Sequence, residues 1–143
     1  MPKMNTYLNF KGNTEDAFNF YKSVFGGEFQ TVTRFKDAPQ MGNITEADQN
    51  KIMHISLPIG KDNVLMGSDV VDTMLKNYTA GNNFQISISA DSEAEADKLF
   101  NGLSAGGKVS MPMQKTFWGS YFGMLADKYG ILWMVDCPIS QPH

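Results

Sequence analysis

The feature that most constrains the fold is an internal repeat. Gly26-Gly27 and Gly106-Gly107 lie 80 residues apart, and Phe20 and Phe100 are separated by the same interval. Each Gly-Gly pair follows an amphipathic helical pattern, and glycine commonly ends a helix. A period near 80 is too long for a solenoid, whose repeats span about 20 to 50 residues. The sequence therefore predicts two copies of one α+β unit in a chain of 143 residues.

The first copy covers about residues 1–76 and shows the order strand, helix, strand, strand, strand. Asn13 or Thr14 is a candidate helix cap, because a short polar side chain can accept a bond from a free backbone N–H. The apolar residues that follow recur at helical spacing: Ala17, Phe18, Tyr21, Val24 and Phe25. Alternating or β-branched stretches predict four strands: Tyr7–Phe10, Glu28–Phe35, Ile52–Ile59 and Asn63–Ser68.

The strand Ile52–Ile59 has a clean split between its two faces. Met53, Ile55, Leu57 and Ile59 are predicted on the buried face, and His54 and Ser56 on the other. Residues 37–49 form a long loop of a kind that often acts as a lid. Residues 69–82 show no strong pattern and are predicted to link the two copies.

The second copy covers about residues 77–143 and repeats the order of the first. Phe84, Ile86 and Ile88 alternate with Gln85, Ser87 and Ser89, as in a half-buried strand. Ser92 and Glu95 have the spacing of a capping box at a helix start. Further strands are predicted over Lys108–Met113, Tyr121–Ala126 and Ile131–Val135, and Asp127 to Gly130 forms the turn of the last hairpin. Phe117-Trp118-Gly119 is a predicted bend before it.

Composition excludes several classes of protein. The formal charge is −3 and no run of Lys or Arg occurs, so a nucleic-acid partner is not expected. No apolar run reaches the roughly 20 residues of a membrane span, and no signal-peptide pattern is present. The single cysteine, Cys137, cannot form an internal disulfide and has no recognisable catalytic partners. These features predict a cytoplasmic protein.

Several motifs resemble those of a known family, and the resemblance spans nearly the whole chain. They are Tyr7-Leu8-Asn9-Phe10-Lys11-Gly12-Asn13, Phe25-Gly26-Gly27, Lys115-Thr116-Phe117-Trp118-Gly119 and Asp127-Lys128-Tyr129-Gly130. The chain is similar to the PhnB-like branch of the vicinal-oxygen-chelate superfamily, which includes glyoxalases, bleomycin-resistance proteins and dioxygenases. That branch often carries the label 3-demethylubiquinone-9 3-methyltransferase. The resemblance implies a single domain over residues 1–143 and a homodimer. It also implies a curved, mostly antiparallel eight-stranded sheet around a concave pocket, with helices on the outer face.

The metal-dependent members of the superfamily hold a divalent ion with His, Glu or Gln side chains on four strands. Carried onto this chain, those positions fall on Asn5 or Thr6, Met66, Gln85 and Met134. Gln85 alone is a suitable ligand, because thioethers are poor partners for hard divalent ions. His54 could add a second ligand. We therefore expect no resident metal, and a metal that did bind would use Gln85 and His54.

The remaining prediction is a pocket for a flat or partly apolar small molecule. The residues predicted to line it are His54, Ser56, Gln85, Ser87, Trp118, Phe122, Met124 and Met134. Trp118 and Phe122 could equally be core or dimer-interface residues, and methionine is also ordinary core filler.

Three functions remain open. The first is a metal-independent small-molecule-binding protein, and the second a metal-dependent enzyme of glyoxalase or dioxygenase type. The third is the methyltransferase of the family label, which the absence of a Gly-rich loop after the first strand disfavours. An acid–base role for His54 with Asp127 or Asp136 also stays open.

Overall fold

The structure is a computed structural model that describes residues 2–38 and 44–139, with only the backbone described at 72–74. The chain divides into two compact units, and the boundary lies between Thr79 and Ala80. Each unit has the order βαβββ. The elements of the first unit are β1 (Thr6–Phe10), α1 (Thr14–Phe25), β2 (Thr31–Arg34), β3 (Ile52–Ile59) and β4 (Asn63–Asp69). Those of the second are β5 (Ile86–Ser89), α2 (Glu93–Ser104), β6 (Lys108–Lys115), β7 (Ser120–Ala126) and β8 (Leu132–Pro138).

The eight strands pair as two mixed sheets of four, not as the one eight-stranded sheet that the resemblance implied. The first sheet has the order β1-β4-β3-β2 and the second β5-β8-β7-β6. In each sheet the first strand of the unit lies parallel to the last, and the other pairs are antiparallel. The parallel pair exists because a helix crosses over between the first strand and the sheet. The predicted concave pocket stays a prediction.

The strand register shows that the units are copies of each other. Tyr7 on β1 pairs with Met66 on β4, and Ser87 on β5 pairs with Met134 on β8. Tyr7 and Ser87 are separated by the 80-residue interval of the sequence repeat. One residue further along each last strand, Gly67 pairs with Ile55 and Val135 pairs with Gly123. The internal duplication predicted from the sequence is therefore confirmed.

One helix covers one face of each sheet and packs an aromatic ring against a glycine of the sheet. A Cβ on Gly67 would lie 2.6 Å from Cε1 of Phe18, and a Cβ on Gly123 would lie 2.8 Å from Cε2 of Phe100. Both distances are shorter than carbon atoms tolerate, so each glycine makes room for the ring. The two units place this glycine on different strands, β4 and β7.

Apolar side chains between helix and sheet form a core in each unit. In the first unit the buried side chains include Leu8, Phe18, Tyr21, Ile52, Ile55 and Leu57. In the second they include Phe100, Leu103, Leu125, Trp133 and Val135. Burying side chains of this size contributes about 1.5–3 kcal/mol each, before the cost of ordering the chain. Neither helix has the length and hydropathy needed to cross a membrane, and no other described helix does.

A bulge changes which residues of β3 are buried. The register with β2 shifts between Thr33 and Arg34, which pair with His54 and Ile52. Met53 is therefore the extra residue, and Ile52 is fully buried in the place predicted for Met53. The alternation in the sequence was misleading here because a bulge reverses the facing of the residues beyond it.

Other differences from the sequence prediction lie between the strands. β2 is shorter than predicted, because Phe35 begins a 3₁₀ turn in which the Asp37 carboxylate accepts a bond from the backbone N–H of Arg34. The predicted linker contains a 3₁₀ helix, Asp72–Asn77. The predicted lid loop includes another at Glu46–Asp48, while its residues 39–43 lie outside the described residues.

The two helices begin with different caps. Ser92 accepts a bond from the backbone N–H of Glu95 at 3.1 Å, as the predicted capping box requires. The Glu95 carboxylate accepts from the backbone N–H of Asp91 rather than of Ser92. Asn13, by contrast, occupies the cap position of α1 without a side-chain cap bond. The acceptor there is Asp69, from the end of β4.

Candidate functional site

Each sheet has a face opposite its helix, which we call the helix-free face. Helix α1 packs on β3 and β4, and α2 packs on β6, β7 and β8. Because side chains alternate along a strand, residues next to the buried ones point to the helix-free face. In the first unit these include Tyr7, His54, Ser56 and Met66. Two of the predicted site residues, His54 and Ser56, thus share a face.

A tyrosine and a histidine interact across this face of the first unit. The hydroxyl of Tyr7 lies 3.3 Å from Nδ1 of His54, and the two rings stack at 5.8 Å between centroids. Tyr7 is 44% exposed. The sequence analysis did not assign Tyr7 to the site. The signal was available, because Tyr7 occupies the position of Ser87 in the repeat, and Ser87 was assigned.

In the second unit, two rows of paired side chains cross the helix-free face. The first row contains Ser87 on β5, Met134 on β8 and Met124 on β7. The second contains Ser89, Asp136 and Phe122 on the same three strands. Four predicted site residues, Ser87, Phe122, Met124 and Met134, therefore lie together. Gln85 is exposed and precedes β5, which begins at Ile86.

Three aromatic rings meet at the turn between β6 and β7. Trp118 is 59% exposed and packs edge-on against Phe122, at 6.0 Å between centroids, and against Phe117, at 5.0 Å. Gly119, at φ +89°, allows the sharp turn. The hydroxyl of Thr116 closes it by donating to the carbonyl oxygen of Ser120 at 2.8 Å. The exposure of Trp118 shows that it is not a core residue of its unit.

The groups with shifted pKa values lie away from these faces. The hydrogen bond from Tyr121 to the Asp97 carboxylate, at 2.6 Å on the helix side, raises the pKa of the phenol. Burial raises the pKa of the Cys137 thiol. A thiol with a raised pKa is mostly protonated at neutral pH and is a poor nucleophile.

Comparison with known proteins identifies the family. The family described as 3-demethylubiquinone-9 3-methyltransferase matches residues 2–136. This chain belongs to that family. It is PhnB-like, and its fold is that of the glyoxalase/bleomycin resistance/dioxygenase structural superfamily.

Three relatives of this PhnB-like chain match over nearly their whole length. Protein YjdN of Escherichia coli is 30% identical, with 97% of each chain covered. Protein PA1353 from Pseudomonas aeruginosa is 37% identical. The match covers 98% of this chain and 100% of the PA1353 chain, and the two structures superpose with a TM-score of 0.84. A PhnB protein from Bacillus cereus, described as a putative 3-demethylubiquinone-9 3-methyltransferase, is 28% identical, with 95% and 99% covered and a TM-score of 0.74.

The wider superfamily shares the fold alone. A glyoxalase/bleomycin resistance protein/dioxygenase family enzyme from Burkholderia phytofirmans is 17% identical and superposes with a TM-score of 0.62, with 94% of this chain and 98% of its own covered. Its catalytic residues cannot be transferred at that identity, so the site of this PhnB-like chain must be judged on its own side chains.

The side chains of this PhnB-like chain do not fit the superfamily's divalent ion. Met66 and Met134 occupy equivalent positions on β4 and β8, and a thioether is a weak donor to a hard ion. Asn5 and Gln85 are exposed residues that precede β1 and β5. The hydroxyl of Tyr7 contacts Nδ1 of His54, which leaves Nε2 for any other ligand. Among the described side chains, those of residues 2–38, 44–71 and 75–139, no three from His, Cys, Asp or Glu are grouped as a metal site requires.

The structure thus assigns seven of the eight predicted residues to one unit's face or to a contact with it, while the eighth, Gln85, precedes β5. His54 and Ser56 lie on one helix-free face, and Ser87, Phe122, Met124 and Met134 on the other. Trp118 joins the second group through its contact with Phe122. Ser56 is only 3% exposed, which makes it the least accessible of the set. That these side chains bind a ligand stays a prediction.

Proposed function

We propose that this protein binds a small molecule on the helix-free faces of its sheets and does so without a chelating divalent ion. The observation that carries the proposal is the pair Met66 and Met134, which lie in register with Tyr7 and Ser87 on β4 and β8. These are the positions to which the resemblance assigns metal ligands on the two strands. Thioethers at both positions replace hard donors with polarizable apolar surface.

The surrounding side chains are of the kinds that small-molecule sites use. Such sites are largely apolar and carry a few polar groups that orient the ligand. In the second unit, Met124, Met134 and Phe122 supply the apolar surface, and Ser87 supplies a hydroxyl. In the first, the Tyr7–His54 pair offers hydrogen-bonding groups beside two ring faces. A flat, partly apolar molecule with one or two polar groups suits both surfaces.

The test follows the NMR signals of the methionine methyl groups. With ¹³C-methyl methionine, titration of 2-naphthol, a flat molecule with one polar group, is expected to shift the Met124 and Met134 signals. The Met4 signal is the internal control, since Met4 is 97% exposed and precedes β1. No saturable shift at Met124 or Met134, or equal shifts at Met4, would contradict the proposal.

A metal measurement separates this proposal from the metal-dependent enzyme. After dialysis against a chelator, metal analysis and native mass spectrometry are expected to show no stoichiometric Zn, Ni or Mn, with 2-naphthol binding unchanged. Tightly held metal that is required for activity, and that is lost in His54→Ala/Gln85→Ala, would instead establish the enzyme.

The methyltransferase in the family's description has less support from the fold. Methyltransferases of the common type hold adenosylmethionine on a doubly wound parallel sheet, with a Gly-rich loop after its first strand. Each sheet here has one parallel pair and two antiparallel pairs. Calorimetry with adenosylmethionine tests this alternative directly.

We also propose the homodimer that the resemblance implies, which sedimentation analysis would test.

A further inference from the structure

Beside the methionines of the second unit, a carboxylate and two aromatic rings lie on the same face. Asp136 on β8 is half-buried between the buried neighbours Val135 and Cys137, so its side chain points to the helix-free face. Its register partner on β7 is Phe122, and Phe122 contacts Trp118. We propose that Asp136, Phe122 and Trp118 bind the cationic group of an organic ammonium ligand. This inference rests on the proposed function, and it adds that the small molecule bound there carries a positive charge.

The charge of Asp136 is not neutralised within the described chain. The Ser89 hydroxyl donates to Oδ1 of Asp136 at 2.8 Å and fixes the carboxylate on this face. Throughout residues 2–38 and 44–139, no ion pair involves Asp136. A half-buried carboxylate without a cation is an attractive site for a positively charged group.

The two rings supply the second part of a cation site. Phe122 and Asp136 are directly opposite on neighbouring strands, where Cβ atoms lie about 4.5–5.5 Å apart. The planes of Trp118 and Phe122 meet at 68°, so together they form a corner of two ring surfaces. Aromatic faces attract alkylammonium groups, and tryptophan does so most strongly. Lys22 lies over the ring of Phe29 and Lys128 over that of Tyr129, and in the described part of the chain no cation lies over Trp118 or Phe122.

The neighbouring residues favour an organic cation over a metal ion. One carboxylate and aromatic rings cannot give a hard ion the six or more oxygen ligands that Ca²⁺ takes, for example. Met124 and Met134, one row away on the same strands, offer apolar surface for the body of the molecule. The expected ligand therefore combines an ammonium group with an apolar, preferably aromatic, part.

The first unit provides a comparison without the charge. At the positions of Ser89 and Asp136 it carries Asn9 and Ser68, whose side chains also hydrogen-bond to each other, at 3.2 Å. The same contact between paired strands is thus neutral in one unit and negatively charged in the other. The inference assigns the cationic group to the second unit only.

The experiment compares three probes with the same ring: benzyltrimethylammonium, benzyl alcohol and phenylacetate. Calorimetry on the full chain is expected to show the cation binding about ten-fold more tightly than the alcohol, and the anion most weakly. Asp136→Asn keeps the shape and an acceptor for Ser89. It is expected to remove most of that preference and to change alcohol binding by less than about two-fold.

A matched variant controls for net charge. Glu93→Gln removes one negative charge from the exposed first residue of α2, on the opposite side of the same sheet. It is expected to leave the preference for the cation over the alcohol intact. Phe122→Leu is expected to weaken cation binding about three-fold, as loss of one ring contact implies. Circular dichroism and the midpoint of thermal unfolding verify that each variant is folded.

Three outcomes would overturn the inference: equal binding of cation and alcohol, equal loss of cation binding in Asp136→Asn and Glu93→Gln, or failure of the cation to bind at all. The 2-naphthol titration distinguishes this from failure of the proposed function. If 2-naphthol shifts the Met124 and Met134 signals while no cation preference exists, only the inference about charge is wrong.

Discussion

In the first unit a buried carboxylate joins segments that are distant in the chain, whereas in the second a buried carboxylate joins neighbours within one turn. Asp69 accepts from the backbone N–H of Thr14 at 3.0 Å, from its hydroxyl at 2.7 Å, and from the backbone N–H of Ile52 at 2.8 Å. Asp127 accepts from the backbone N–H of Tyr129 at 2.8 Å and of Ile131 at 3.1 Å, and from the indole of Trp133 at 2.8 Å. Each carboxylate accepts these three hydrogen bonds, but the donors lie at different separations along the chain.

This difference follows from what each unit carries at one equivalent position. Cys137 follows Asp136 on β8 as Asp69 follows Ser68 on β4, and a thiol cannot replace a carboxylate as a double acceptor. Helix α2 therefore depends on its own Ser92, while α1 depends on Asp69 from β4. The comparison teaches that a duplicated scaffold can keep its topology while exchanging a long-range connection for a local one.

Removing the two carboxylates should give the largest effects and should rank the units. Asp69→Ala leaves three donors of Thr14 and Ile52 unpaired, and both residues are fully buried. We expect it to lower the free energy of unfolding by about 3–4 kcal/mol. Asp127→Ala removes the acceptor of only one donor on a fully buried residue, the indole of Trp133, because Tyr129 and Ile131 are half-buried. It should cost about 2 kcal/mol. Urea unfolding followed by circular dichroism measures both.

Tryptophan fluorescence sharpens that ranking. Both tryptophans, Trp118 and Trp133, belong to the second unit, so fluorescence reports on that unit and circular dichroism on both helices. Asp69→Asn retains one acceptor oxygen and should lie between the parent protein and Asp69→Ala. An Asp127→Ala loss equal to or larger than that of Asp69→Ala would contradict the distinction between long-range and local connection.

The helix caps provide a smaller test of the same comparison. Ser92→Ala removes the side-chain acceptor that Glu95 N–H uses, and should cost about 1 kcal/mol. Asn13→Ala occupies the equivalent cap position but removes no side-chain cap bond, so it should change stability by less than about 0.5 kcal/mol. Matched urea titrations of the two variants measure the difference. Equal losses would show that Asp69 does not act as the cap of α1.

The local connections are the ones that the sequence could predict. The Ser92 cap and the hairpin turn at Asp127 and Gly130 are confirmed, because the residues that make them lie within a few positions of each other. Only the Ser92 half of the predicted capping box forms, since the Glu95 carboxylate bonds to Asp91 instead. The sequence predicts Asp69 as the start of a linker, whereas in the structure it ends β4. Its role depends on Thr14, 55 residues away, and no local pattern indicates such a pairing.

The candidate site shows the same limit. Alternation along the strands was sufficient to place Ser87, Met124 and Met134 on one face, since that pattern has a period of two residues. The Tyr7–His54 contact was missed because it joins β1 to β3 across β4, and strand order is not visible in a periodicity. The bulge at Met53 was missed because no glycine or proline marks it.

The smallest expected effect concerns an ion pair that ties α1 to β2. Arg34 binds both carboxylate oxygens of Glu15, at 2.6 and 3.0 Å, and this hydrogen-bonded pair lowers the pKa of Glu15. The unfolded chain therefore binds the proton at a higher pH than the folded one. The stabilisation is present above the ordinary glutamate pKa of about 4.3 and is lost as pH falls through the lower, folded value.

Glu15→Gln should accordingly cost less than about 1 kcal/mol at neutral pH, since the Glu15 side chain is 48% exposed and solvent screens the pair. The difference from the parent protein should shrink as pH falls below about 4.3. Tyr121→Phe in the second unit is the matched control. The Asp97 bond raises the pKa of Tyr121, so the phenol loses its contribution only as pH rises above about 10 and does not itself titrate in acid. Thermal unfolding of both variants from pH 3 to 7 measures how each stability difference from the parent protein depends on pH. A Glu15→Gln difference that does not shrink in acid would mean that the pair acts through packing rather than charge.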